Sequence, residues 1–139
     1  HIIESSIGVG RLVLATLTES YSMVSDDEGE RFVLKLHPLI APVKAAIFPL
    51  LKNKPQLVEK AEQLYKNLSK KFMCEYDDNG NIGKRYRRQD EIGTPYCITV
   101  DFQTLEDNTI TLRDRDTAEQ KRIPIDDLIK VLNIQNEFN

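Results

Sequence analysis

"GNIGKRYRRQDEIGTPYCITVDFQTL", residues Gly80 to Leu105, holds the two patterns that decide the fold. Ile82 to Ile92 reads as a helix closed by Gly93, since glycine takes the left-handed conformation that ends helices at little steric cost. Directly after it, "YCITV" (Tyr96 to Val100) is a short apolar run of the kind found in a strand buried on both faces. Helices alternating with buried strands build a mixed α/β sheet with helices on its faces.

The same alternation extends in both directions. Upstream, "KAAIFPL" (Lys44 to Leu50) is another buried-strand run. Pro55 then opens a helix in which Leu57, Val58, Ala61, Leu64, Tyr65, Leu68 and Phe72 recur at helical spacing. "FMCEY" follows as a strand, ended by the turn "DDNGN". Downstream, "NTITL" and "QKRIPI" form a hairpin pair around "RDRD", and Asp126 to Leu132 makes a closing helix. The expected fold is a mixed sheet of about five strands flanked by three helices.

The N-terminal third has a different texture. Leu12 to Leu17 is nearly all apolar and reads as a buried helix ending near Tyr21. "SDDEGE" (Ser25 to Glu30) reads as a solvated acidic loop, and "RFVLKL" alternates as a strand. Pro38 and Pro42 keep "HPLIAPVK" extended, because each proline pushes its predecessor out of the helical region. The boundary is therefore expected near residue 42, with one unit over residues 1–42 and a second over 43–139.

Composition narrows the function. The 139 residues carry a formal net charge of -3, so the chain as a whole does not attract nucleic acid, and any such binding needs a local patch. No run approaches the roughly 20 apolar residues that span a bilayer, and no stretch resembles a signal peptide. Cys74 and Cys97 stand far apart without a CxxC pair, which suits a reducing, cytoplasmic setting and gives no metal site. His1 and His37 lack clustered partners, and no catalytic triad can be assembled.

Two places can carry function. On the helix, Lys84, Arg85, Arg87 and Arg88 fan over one broad face, opposite Ile82 and Tyr86. This is either a solvated face or a surface that binds phosphates and bases through guanidinium forks. Asp90 and Glu91 beside them favour base reading, since carboxylates accept from the amino group of cytosine. At "TLRDRD", Arg113 and Arg115 alternate with Asp114 and Asp116, which reads as surface ion pairs or as mixed donors and acceptors for a single-stranded loop. Phe102 and Tyr96 are the available stacking aromatics.

The order of the pieces is specific. "HIIESSIGVGR" closely resembles the third signature motif of class II aminoacyl-tRNA synthetases, in the version of the dimeric glycyl-tRNA synthetases, approximately Val-Ile-Glu-Pro-Ser-x-Gly-(Ile/Leu)-x-Arg. "RFVLKLHPLIAPVKAAIFPL", "GNIGKRYRRQDEIGTPYCITVDFQTL" and "TITLRDRDTAEQKRIPI" resemble later segments of that family, so the likeness spans almost the whole chain. Ser5 stands where the family usually has proline, which leaves a less rigid turn.

The resemblance implies a C-terminal piece of a glycine-tRNA ligase: a remnant of the catalytic domain over residues 1–42, then an anticodon-binding domain. In it Arg11 would grip the ATP triphosphate as a catalytic residue, Glu4 would receive the ammonium of glycine, and Ser6 would line the pocket around its α-carbon. Arg85, Arg88, Asp90, Glu91, Phe102, Arg113 and Arg115 would read the anticodon of tRNA(Gly), which carries two cytosines. ATP, with Mg2+, serves the parent enzyme, a homodimer, and this part alone would hold no cofactor and be inactive. The rival expectation is a non-catalytic RNA-binding or accessory protein built on the same domain.

Overall fold

The computed structural model of the chain describes residues 3–26 and 29–135. His1, Ile2, Asp27 and Glu28 lie outside the described residues.

The first unit is a helix and a hairpin. Helix α1 (Val9–Ser20) starts after Gly8 without a side-chain cap, and none of its residues is buried. The expected buried helix is thus largely exposed: Leu14 reaches solvent, and Leu12, Val13 and Leu17 line an open apolar cleft with Leu34, Leu36, Ile40 and Ile92. Strand β1 (Tyr21–Asp26) pairs antiparallel with β2 (Gly29–Leu34), in register Tyr21↔Leu34 and Met23↔Phe32. Much of the stretch read as an acidic loop is therefore strand. Tyr21, Met23 and Val24 hold β1 in register with β2, a cross-strand effect that the run of acidic residues obscures.

The second unit is a five-stranded sheet with spatial order β4-β3-β5-β6-β7. Strands β3 (Ala45–Pro49) and β5 (Tyr96–Val100) lie parallel at its centre, and every residue of both is buried. Strand β4 (Cys74–Tyr76) adds parallel to β3. On the other side, β6 (Thr109–Asp114) and β7 (Gln120–Pro124) add antiparallel.

Helices cover the sheet unequally. Helix α2 (Pro55–Leu68) has proline in its first turn and buries Leu57, Ala61, Leu64 and Leu68 along one stripe. With Leu128 and Leu132 of α5 (Ile125–Gln135) they pack on Ala45, Ile47, Ile98, Val100, Ile110 and Leu112. Full burial of a single leucine here stabilises by about 2 kcal/mol. A short fourth helix of the second unit, α4 (Phe102–Asp107), was not expected from the sequence. Asp101 and Thr104 form a reciprocal cap that starts it.

The opposite face carries only α3 (Ile82–Ile92) among the described residues. The Asn81 side chain accepts from the Lys84 amide at 2.9 Å, and Gly93 ends the helix at φ 86°. Ile82 and Tyr86 pack on Ala46, Phe48 and Cys97, so α3 shields the β3–β5 half of this face. Ladder register puts Phe48, Thr99, Thr111 and Arg122 in one row across the sheet. Thr111 is only partly buried and Arg122 is exposed, so the β6–β7 half of the face meets solvent.

Candidate nucleic-acid interface

The open half-face is polar by sequence. Side chains alternate along a strand, so Ile110 and Leu112 enter the core while Thr109, Thr111 and Arg113 share the other side. Arg122 on β7 reaches along this row. Its Nε donates to Thr109 Oγ1 at 2.7 Å, and its two terminal nitrogens donate to Asp101 at 2.6 and 2.7 Å. That fork holds the Asp101 carboxyl down to about 2, well below the usual carboxylate range. Asp101 also starts α4, whose next residue, Phe102, is about half exposed at 48%. The result is a fixed donor–acceptor pair beside an exposed aromatic ring, at the carboxyl ends of the parallel strands.

The residues singled out in sequence divide sharply. Asp90 is fully buried: its carboxylate accepts from Arg113 at 2.9 and 3.2 Å and pairs with Arg31 of β2. Arg113 lies within β6 rather than at the hairpin tip, and its guanidinium sits 4.8 Å over the Tyr86 ring. Its pKa is pulled up by Asp90 against the opposing effect of burial, which is the largest single influence on it. Arg115 is 4% exposed, with Nη1 donating to Gly93 O and Nη2 to Leu36 O, both at 2.8 Å. The expected mixed donors of the "RDRD" turn are therefore folded inward.

Arg85 leaves the expected basic face for the same reason. It is 2% exposed, and its guanidinium donates to the carbonyls of Pro49, Asp78 and Gly80. Those contacts tie the loops after β3 and β4 to α3. Arg88 is partly exposed, its Nε donating to Asp77 Oδ2 at 3.0 Å. Lys84 and Glu91 are exposed. At the start of α3 an open cleft of about 430 Å³ is lined by Leu50, Lys52, Asn53, Asn81 and Arg85. Lys52, Lys84 and Arg88 thus put cations around the strand ends although the chain is acidic overall.

At the other end of the chain, Glu4 and Ser6 are exposed in the irregular segment before α1, and Arg11 is exposed in its first turn. Sequence reasoning missed Asp101 and Arg122. Their signal was present in part: Asp101 stands three residues before Thr104, the spacing of a helix cap. Their pairing was not legible, because 21 residues separate the two.

Among the described residues no group of His, Cys, Asp and Glu could hold a metal ion, and no helix is long and apolar enough to cross a membrane.

This fold recurs in solved structures of aminoacyl-tRNA synthetases. The RNA binding domain of threonyl-tRNA synthetase from Cryptosporidium parvum superposes with a TM-score of 0.66 at 24% identity, over 73% of this chain and 25% of that one. Prolyl-tRNA synthetase from the same organism superposes with a TM-score of 0.66 at 23% identity, over 74% of this chain and 23% of that one. The family model described as "Anticodon binding domain" matches residues 44–135, and the chain belongs to that family. Glycine--tRNA ligase of Alkaliphilus metalliredigens is 57% identical over 139 residues, covering 99% of this chain and 29% of that protein. The enzymes of the same name from Clostridium tetani and Borrelia garinii subsp. bavariensis are each 53% identical, with 29% and 32% of their lengths covered. The chain spans about three tenths of the length of these relatives.

Proposed function

We propose that this chain supplies anticodon recognition to a glycine-tRNA ligase. The observation that carries the reading is the identity of 57% across 99% of the chain to a ligase of that name. In the parent reaction the carboxylate of glycine attacks the α-phosphate of ATP, releasing pyrophosphate and forming glycyl-adenylate. The 3′-terminal adenosine of tRNA(Gly) then takes the glycyl group. Arg11 is the residue of this chain assigned to the triphosphate, Glu4 to the glycine ammonium and Ser6 to the pocket around the α-carbon. These three stand on the 1–42 unit, and the 43–139 unit reads RNA. The parent enzyme is a cytoplasmic homodimer that uses ATP with Mg2+, and this chain by itself does not aminoacylate.

The RNA meets the open half of the sheet and the neighbouring strand ends. Phe102 offers a face on which an unstacked base stacks. Asp101 Oδ2 accepts from Arg122 and has a further lone pair for the amino group of cytosine. Lys84 and Glu91 of α3 are exposed, and Arg88, paired with Asp77 after β4, is partly exposed, so these charges reach solvent on the helix. Asp90, Arg113, Arg115 and Arg85 are buried and contribute as the frame beside it.

A binding titration of the chain with the anticodon stem-loop of glycine tRNA tests the reading. Affinity should fall steeply with salt, and stem-loops altered at the two anticodon cytosines should bind worse. Equal affinity for altered and unaltered loops would overturn it.

A further inference from the structure

A chain of contacts runs from the N-terminal hairpin to Thr99, on the covered part of the sheet face whose other half is open. Arg31 of β2 pairs with Asp90 of α3. Asp90 holds both terminal nitrogens of Arg113 on β6, at 2.9 and 3.2 Å. The Arg113 guanidinium covers the Tyr86 ring at 4.8 Å, and the Tyr86 hydroxyl shares a hydrogen bond of 2.8 Å with Thr99. Thr99 stands in the covered half of the row that continues through Thr111 to the exposed Arg122.

We propose that Arg31 is a positioning residue for the RNA-facing sheet: through Asp90 it sets Arg113, and through Arg113 the Tyr86 ring at the edge of the open row. The inference rests on the reading of that face as the RNA surface.

Charge and burial explain why the hairpin matters to the face. One buried carboxylate serves two guanidinium groups, and neither can be released without leaving Asp90 half satisfied. Arg113 is confined to the sheet, so Arg31 is the member that enters from a separate element. The hairpin is seated by two further contacts: Leu36 abuts Gly93, and its carbonyl accepts from Arg115. These contacts keep the hairpin docked when Arg31 is replaced, so the effect of the side chain can be separated from loss of the element.

The test compares R31Q and R31K with the wild-type chain by NMR of the Tyr86 ring, amide exchange of β2 and titration with the glycine anticodon stem-loop. In R31Q the Tyr86 resonances should move, while amide exchange in β2 should stay close to wild type because the Leu36 contacts keep the hairpin docked. Affinity for the stem-loop should fall by about threefold to tenfold, because the side chains under the site lose their fixed geometry. R31K retains the charge and should recover most of both effects. Unmoved Tyr86 resonances in R31Q, or RNA affinity equal to wild type, would overturn the proposal. Should R31Q fail to fold, the same readouts on R31K decide it, with a partial Tyr86 shift expected and no shift overturning it. A wild-type chain that ignores the stem-loop would instead defeat the functional reading, and the Tyr86 resonances would still decide the relay.

Discussion

Asp90 and Arg113 meet in a two-pronged ion pair at 2.9 and 3.2 Å, with the carboxylate wholly shut off from solvent. Removing one member leaves the other charged and buried, which destabilises by about 3–5 kcal/mol. Urea unfolding of D90A should show a loss of that size. A double replacement, D90L with R113M, should lose less than D90A and R113A summed, since it removes both charges of that pair and keeps apolar volume, although Arg31 then loses its contact with Asp90.

Gly93 ends α3 at φ 86°, where a side chain is strained. A Cβ there would come within 2.8 Å of Leu36 Cδ1 and 3.0 Å of the Leu34 carbonyl oxygen. G93A should therefore destabilise by about 1–3 kcal/mol, seen as a lower denaturant midpoint. The loss combines left-handed strain with a pushed hairpin, so amide exchange in β2 should quicken in the same variant.

The Asp101–Arg122 pair gives stability a defined acid limb. The Asp101 carboxyl is held down to about 2 in the folded chain, chiefly by its hydrogen bonds from Arg122. Its stabilisation is complete above the unfolded value near 4 and is lost as pH falls through about 2. After allowance for solvent screening it amounts to roughly 1 kcal/mol. D101N should flatten thermal stability between about pH 4 and pH 2 while changing little else in the acid profile.

Phe102 separates binding from folding. Its ring is about half exposed, so F102A should stay within about 0.5 kcal/mol of wild-type stability. Loss of base stacking should weaken stem-loop binding by about 1–3 kcal/mol. K84A should instead lower the slope of log affinity against log salt by about 1, as expected for one phosphate contact.

The cysteines should be inert in the native state. Burial pushes the Cys74 thiol up to about 11 and the Cys97 thiol up strongly as well. Neither should react with a thiol reagent at pH 8 until the chain unfolds, when both become titratable. Early labelling of either would show that the sheet centre opens locally.

Much of the fold could be read without coordinates because its signals are local. Gly93 closes α3, Pro55 opens α2, and continuous apolar runs mark β3 and β5, each a pattern within a few residues. The short α4 escaped because a cap and six residues give little periodicity, and β1 escaped because acidic residues mask its pairing with β2. The site was less legible. Arg85, Asp90, Arg113 and Arg115 read as surface charges by composition, yet each is buried by partners far away in sequence. Arg31 lies 59 residues from Asp90, and Leu36 lies 79 from Arg115.

The sequence by itself determined most of the alternation of helices and strands, the Gly93 stop of α3, and through its motifs the family. Only the tertiary structure decided which charges reach solvent and which are buried in the frame. Whether a guanidinium is solvated or buried depends on what the chain brings to it from a distance, and helical spacing holds no information about that. Asp90 and Arg113 went inward because each found the other; Phe102 stayed half exposed, and Arg122, although paired with Asp101, stayed at the surface, because no helix covers their half of the sheet among the described residues.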